Sequence, residues 1–409
     1  MKILALGGAG AMGAVAVRTA LGVPGVDEIV IADRDFGAAE DLAQRSGKGD
    51  IRVRAVRVDV TDQAMLRTAL ESVDLVLNTV GPYFRFGLTV LRAAIETRTH
   101  YLDICDDWEP TLQMLGLDAA AREQGVCAVI GMGASPGISN LLAATAAAEL
   151  DAVQDVYTAW PVDVGGSGQD TEGKSQLLGP DGRPSAAAVH WMEQASGTIT
   201  GVSGGQLVKR SPLSPISLNL PAGHCGTAYS IGHPEPITLQ RTLKPGGDAL
   251  NLMVIKPWTV AYLDTLRRDM DAGLLSREQA AEAFAVPALR RVARSAWVAL
   301  RLRGPGTLPP FFAAVTGERD GYRRSVLSRL NLDGPQADPI RSALRDMALI
   351  TGVPLAMGMA QVIDGSARRP GVHPPEAVIE PERFFTDFGV VLGCDRGVSP
   401  YVIEQEALS

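Results

Sequence analysis

The chain has 409 residues, 46% hydrophobic and 21% charged, with a net charge of −8 at pH 7. At ~150 residues per domain this makes two or three domains with ample core. The acidic balance and the 5% of aromatic residues argue against a nucleic-acid or anionic-membrane surface as the main partner. No apolar run approaches the ~20 residues of a membrane span. The cysteines Cys105, Cys127, Cys225 and Cys394 form no CxxC pair, so no metal site is expected, and scattered thiols fit a reducing cytoplasm.

Residues 2–6 read as a short buried strand running into Gly8-Ala9-Gly10-Ala11-Met12-Gly13, and AVAVRTAL behind it has a helical pattern. This is the spacing of a dinucleotide-binding turn. Gly8 is expected to make the tight turn, Gly10 to let the backbone approach a pyrophosphate, and Gly13 to let helix and strand pack closely. The phosphates are expected on the helix N-terminus, at Ala11 and Met12. EIVIAD, a second strand, ends on Asp33, where an acid holds the adenosine ribose. Asp33 favours NAD, whereas Arg34 beside it offers a partner for the 2′-phosphate of NADP, so the choice stays open.

The unit repeats. RVRAVRVDVTD is a third strand ending at Asp59-Val60, beside the expected adenine, and DLVLNTV a fourth, followed by Gly81. HYLDI and VCAVIG are a fifth and a sixth, with helical stretches between them. Alternation of this kind predicts an α/β fold, a doubly wound parallel sheet with ligands beyond the carboxyl ends of its strands. That rule selects Asn78-Thr79-Val80-Gly81, the residues from Asp103 to Asp107, and Met132 to Asn140.

Those loops also carry a resemblance. GPYFRFG (81–87), YLDICDD (101–107) and GMGASPGISN (131–140), behind the glycine motif, resemble the saccharopine dehydrogenase-like oxidoreductases. That group includes saccharopine reductases, lysine 6-dehydrogenase and the carboxynorspermidine and homospermidine enzymes. GHPEPITL (232–239), TGVPLAMGMAQVIDG (351–365) and GVHPPEAV (371–378) extend it more weakly into the second half. The resemblance implies an N-terminal Rossmann domain, a second α+β domain on a mixed sheet, and NAD(P)-linked chemistry at a carbon–nitrogen bond of an amino acid, opine or polyamine. It also implies a C-terminal segment packing back on the first domain.

On this reading residues 1–135 bind NAD or NADP, 136–365 form the substrate and oligomerisation domain of a homodimer, and 366–409 return to the first domain. The candidate catalytic groups are the Tyr83 hydroxyl and the Asp103 carboxylate, the latter able to hold an ammonium or pass a proton. Each has a blander alternative, Tyr83 as a packing residue and Asp103 as a helix cap. Asp106 is a candidate for a cationic amine or imine substrate. Asp106, Asp107 and Glu109 otherwise read as loop charges capping the helix that follows. Pro136 and Gly137 open a helix whose free N–H groups would take a substrate carboxylate or the nicotinamide carboxamide. His233 is a candidate for lining the substrate site. The Gly- and Ser-rich stretch at 163–185 reads as a lid or linker. The Ala/Met-rich helix at 353–363 fits either a domain core or a dimer seam. Reduction of C=O or C=C bonds, cofactor binding without turnover, and catalytic use of a retained NAD remain as alternatives.

Overall fold

The computed structural model describes residues 1–47, 51–162, 184, 186–395 and 397–408. The expected lid at 163–185 lies outside the described residues except for Pro184. The chain divides into two compact units, one of Met1–Ala144 with Leu330–Val402, the other of Thr145–Arg329 with Ile403–Ser409.

In the first unit seven strands alternate with helices. They are β1 (Lys2–Leu6), β2 (Glu28–Asp33), β3 (Arg52–Arg57), β4 (Leu75–Asn78), β5 (His100–Asp103), β6 (Cys127–Val129) and, from the far end of the chain, β15 (Gly371–His373). Their order is β15-β6-β5-β4-β1-β2-β3 and every pairing is parallel. The reversal of direction on either side of β1 makes this a Rossmann sheet, as the alternation of the sequence predicts. Ile3, Leu4, Ile29, Ile31, Leu75 and Val76 are fully buried, as helices on both faces of a parallel sheet require. The helices are α1 (Ala11–Ala20), α2 (Phe36–Ser46), α3 (Gln63–Glu71), α4 (Tyr83–Glu96), α5 (Trp108–Leu115), α6 (Asp118–Glu123) and α7 (Ile138–Ala147).

The second unit holds a mixed sheet. Its strands are β7 (Ala152–Pro161), β8 (Ile199–Ser203), β9 (Gln206–Arg210), β10 (Pro215–Leu220), β11 (His224–Ile231), β12 (Ala249–Val254), β13 (Phe312–Arg319), β14 (Tyr322–Leu330) and β16 (Tyr401–Ala407). The main path runs β10-β11-β12-β7-β13-β14-β16, with β7 and β12 parallel and β8 joined to both β12 and β9. Its helices are α8 (Ala186–Gln194), α9 (Glu235–Thr242), α10 (Pro257–Asp271), α11 (Arg277–Ala285) and α12 (Leu289–Ala299). The capping box that Ser276 and Gln279 predict opens α11.

Two boundaries differ from the sequence reading. The crossover falls at residue 144 within α7 rather than at 135, because α7 begins among the buried residues of the first unit. Helices α13 (Asp338–Arg345) and α14 (Met347–Ile363) belong to the first unit, not the second. The physical reason is α14, the Ala/Met-rich helix, which is a core helix here: Val353, Leu355, Ala356, Met359 and Val362 are buried. It crosses α1 closely, since a Cβ on Gly352 would stand 2.6 Å from the Met12 carbonyl oxygen and 2.8 Å from the Val15 Cβ. The C-terminal segment is shared: β15 and α15 (Pro381–Leu392) complete the first unit, and Ile403 onward belongs to the second.

The α1–α14 crossing has no room for a branched side chain. Gly352→Val should cost about 1–3 kcal/mol through forced separation of the two helices. The urea unfolding midpoint measures it, and an unchanged midpoint would show that the crossing yields freely.

Candidate dinucleotide and proton-transfer sites

Between β1 and α1 the backbone makes its left-handed turn at Gly7 (φ +75°), not at Gly8 as expected. Gly8 is needed for a different reason, because a Cβ there would meet the Ala5 carbonyl oxygen at 2.7 Å. At Gly13 a Cβ would lie 2.5 Å from the Gly7 oxygen and 2.8 Å from the Thr79 hydroxyl, so this glycine seats the helix on the sheet. At Gly10 an added Cβ meets only the Gly7 oxygen, at 3.2 Å, and the space beside it is otherwise open. Gly10 is the N-cap of α1 and offers no side-chain cap, and the first intrahelical bond is donated by Ala14 to the Gly10 oxygen. Among the described residues no acceptor takes the N–H groups of Ala11, Met12 and Gly13. Three unclaimed donors at a positive helix end, beside an open face, suit a pyrophosphate.

Asp33 ends β2 at this turn. Its Oδ2 accepts from the Ala9 N–H at 3.2 Å and its Oδ1 from the Asp35 N–H at 3.1 Å. The carboxylate therefore shapes the turn while keeping lone pairs for a ribose hydroxyl. Arg34 is exposed beside it. Thr61 donates to Asp59 through its N–H and its hydroxyl, and these bonds, with Arg34 and Arg57 nearby, hold the Asp59 carboxyl below its ordinary range. Val60 is buried next to it.

Past β4, Thr79 donates to the Leu6 and Gly7 oxygens, tying this strand end to the glycine turn. The side chain of Asn78 is fully buried, its oxygen accepting from Val80 N–H and its nitrogen donating to Tyr101 Oη at 3.0 Å. Val80 is half-buried, and a Cβ at Gly81 would meet nothing within 4 Å.

Tyr83 and Asp103, the two expected catalytic groups, are structural in their placement. Tyr83 is buried and its hydroxyl donates to the Asn78 carbonyl at 2.7 Å. Asp103 is fully buried, accepting from Tyr101 Oη, Gly131 N–H and Cys105 N–H at 2.7–3.0 Å. Burial pushes its carboxyl up to about 6 against those three hydrogen bonds, and Asp106 adds to the rise. It acts as a clamp that joins the end of β5 to the loop after β6. Burial likewise pushes the Cys105 thiol up, so that it stays protonated and inert.

The other candidates separate. Asp107 caps a helix, as expected of an acid in this loop, but the helix is α4, through Phe84 N–H, rather than the α5 that follows. Asp106 is half-buried in the same loop. At Pro136-Gly137 the loop folds on itself: Ile138 N–H donates to the Gly133 oxygen, Ser139 N–H to that of Ala134, and Gly137 N–H to the Asn140 side chain. The donors expected to receive an anion are taken, because Gly137 (φ +123°) brings its backbone against Gly133.

The second unit contains an arrangement of another kind around His233. After β11 the chain turns into α9, so that Glu235 stands two residues beyond His233 in its first turn, and both are buried. His233 Nδ1 lies 3.1 Å from Glu235 Oε2. Asn251 of β12 donates to Glu235 Oε1 at 2.8 Å and to Thr158 Oγ1 at 3.0 Å, and its oxygen accepts from Trp160 Nε1. The Trp160 and His233 rings are 5.6 Å apart. The carboxylate fixes Nδ1 as the protonated nitrogen and leaves Nε2, with no partner among the described residues, to exchange a proton. Sequence reading singled out His233 alone. The HPE spacing was visible, whereas Asn251, Thr158 and Trp160 join it only through strand pairing.

Residues 3–129 match the family model described as saccharopine dehydrogenase NADP binding domain. The whole architecture is similar to apo saccharopine dehydrogenase (L-Glu forming) from Saccharomyces cerevisiae, with 16% identity, complete coverage of both chains and a TM-score of 0.58. Residues 3–129 are thus a domain of the saccharopine dehydrogenase NADP-binding type, and the chain as a whole has the saccharopine dehydrogenase fold. Among curated relatives the chain is 24% identical, over 94% of each chain, to the carboxynorspermidine synthases of Vibrio cholerae serotype O1 and of Vibrio alginolyticus. Its first unit is an NAD(P)-binding domain, in agreement with the open face at Gly10.

Two outcomes test these placements. Gly10→Val should leave the unfolding temperature nearly unchanged and abolish NAD(P) binding by calorimetry; retained binding would rule out the phosphate cradle. Because the Asp103 carboxyl is raised, its contribution to stability is present below pH ~4 and lost as pH rises through about 6. A shift of this size corresponds to roughly 3 kcal/mol. Asp103→Asn should remove that part of the pH dependence, seen as a difference between variant and parent unfolding free energies that changes between pH 4 and 7. A constant difference would refute the clamp.

Proposed function

We propose that this oxidoreductase transfers a hydride at a carbon–nitrogen bond, oxidising an amine or reducing an imine of amino-acid, opine or polyamine type. A bound nicotinamide supplies the hydride exchange. The chain's own part in the first unit is to hold the pyrophosphate on Ala11, Met12 and Gly13 N–H, with Asp33 at the ribose. In the second unit it is to move a proton at His233 Nε2, with Glu235 accepting from Nδ1–H and stabilising the imidazolium.

The observation that carries this reading is the buried His233–Glu235–Asn251 network. Interconversion of amine and imine requires a proton to leave or reach nitrogen as the hydride moves. A histidine with one nitrogen held by a carboxylate and the other unclaimed performs that step. The full-length similarity to carboxynorspermidine synthases supports a nitrogenous substrate. The acidic residues at 103–109 lend less support than their charge suggests, since Asp103 and Asp107 are engaged in clamping and capping.

The test is a panel of diamines, amino acids and preformed imines, followed by absorbance of reduced nicotinamide with NAD and NADP side by side. Turnover confined to carbonyl compounds would refute the carbon–nitrogen assignment. His233→Ala should lower kcat/KM by ~10²–10⁴ and flatten the pH profile, with cofactor affinity unchanged. Glu235→Gln should fall between variant and parent. Full activity in His233→Ala would exclude it as the proton carrier.

A further inference from the structure

The buried network of the second unit turns on which way round one amide sits. Asn251 of β12 is paired with Thr158 of the parallel strand β7, and Trp160 lies two residues further along β7, so that both β7 side chains reach the same asparagine. Asn251 is fully buried and Trp160 half-buried. The amide nitrogen donates to Glu235 Oε1 at 2.8 Å and to Thr158 Oγ1 at 3.0 Å, while its oxygen accepts from Trp160 Nε1 at 2.9 Å.

An asparagine amide has nearly the same shape after a half-turn about its last side-chain bond, and only the exchange of donor and acceptor tells the two orientations apart. The neighbours of Asn251 differ in which orientation they accept. A hydroxyl donates or accepts, so Thr158 suits both. A carboxyl also suits both, since it accepts when ionised and donates when neutral, and burial favours the neutral form of any carboxyl. An indole N–H only donates, so Trp160 suits one. The geometry points to Trp160 as a positioning residue whose N–H holds the Asn251 nitrogen towards Glu235, and so keeps Glu235 the ionised partner of His233.

The consequence reaches the imidazole through a single carboxyl group. With the amide as it stands, Glu235 Oε1 receives an N–H and Oε2, 3.1 Å from His233 Nδ1, carries the charge that balances an imidazolium. With the amide reversed, its oxygen would face Oε1, and the contact becomes favourable once Oε1 takes up a proton and donates it to that oxygen. Glu235 is then neutral. His233 would keep an acceptor at Nδ1 but lose its counter-charge, and a proton arriving at Nε2 would be held less well. Only the effect on turnover rests on the proposed role of His233 in proton transfer.

The test removes the indole N–H and reads the charge of Glu235 directly. Trp160→Phe keeps a ring in the place that stands 5.6 Å from the His233 ring. Infrared difference spectra against Glu235→Gln, recorded on the full chain in neutral buffer, should show an ionised carboxylate in the parent and the carbonyl stretch of a neutral carboxyl in Trp160→Phe. Thr158→Val should keep the carboxylate band. Asn251→Leu, which removes the amide at similar volume, should show the neutral carboxyl too, and adding Trp160→Phe to it should change nothing more. Unfolding temperatures serve as folding controls, and Asn251→Leu probes the same carboxyl from the amide side should Trp160→Phe fold poorly. A carboxylate band unchanged in Trp160→Phe, an equal loss in Thr158→Val, or a further loss in the double variant would each overturn the assignment. With an amine or imine substrate, Trp160→Phe should lower kcat about tenfold and leave KM within about twofold. A raised KM at unchanged kcat would instead make Trp160 a substrate contact and overturn its positioning role. The infrared result needs no turnover, so it judges the amide separately from the activity of His233→Ala, which judges the proton carrier.

Discussion

Everything in the first unit depends on how closely the turn after β1 approaches the end of β4. Gly13 leaves 2.5 Å between the position of a missing Cβ and the Gly7 oxygen, and Thr79 donates across the gap to Leu6 and Gly7. That contact fixes the start of α1, and with it the direction in which three unclaimed N–H groups point. Asp33 reaches the same turn from the neighbouring strand through Ala9. The turn is thus held from two strands, β2 and β4, flanking the one it leaves. The opposite side of α1 is fixed by Gly352, so the phosphate-binding end of this helix cannot shift without disturbing α14.

A second constraint works through burial. Asp103 and Tyr83 stand at the strand ends where a doubly wound sheet keeps its chemistry, yet Tyr83 is committed to neighbouring backbone and Asp103 to backbone N–H groups and the Tyr101 hydroxyl. A buried carboxyl with three hydrogen bonds is a costly group whose cost is offset only while all its partners stay in place. Its effect is to hold the loop after β6 in register with β5. The arrangement around His233 is also buried, but one ring nitrogen has no partner among the described residues. That single difference separates a group that organises a site from one able to exchange a proton there.

Much of this was legible in the sequence. The glycine spacing, the acid on Asp33 and the alternation of strands and helices predicted the parallel sheet and its cofactor face, because both follow from local periodicity and from short-range sterics. The positive φ at Gly7 rather than Gly8 was not legible, since either glycine satisfies the same spacing. The fate of Pro136-Gly137 was hidden for a similar reason: a helix start looks the same in sequence whether or not its donors are spent on its own loop. Asn251 and Trp160 could not be placed beside Glu235 without the register of β7 against β12. The long-range return of α14 was the largest miss, because a small-residue helix does not say which surface it packs on.

That return has a consequence for how the molecule is made. Met12 and Gly352 touch, yet they are separated by most of the chain, including the whole run from Thr145 to Arg329. As the polypeptide emerges from the ribosome, the first six strands have neither β15 to extend their sheet nor α14 to cover α1. The apolar side of α1 waits in the open while the intervening unit is synthesised, and ordering it requires closure of a very long loop. The intervening unit has nearly all of its strands in hand much earlier and lacks only β16. Nascent molecules therefore pass through a stage in which the cofactor domain, although translated first, is still incomplete when most of the intervening unit has been made, and chaperone demand falls on it.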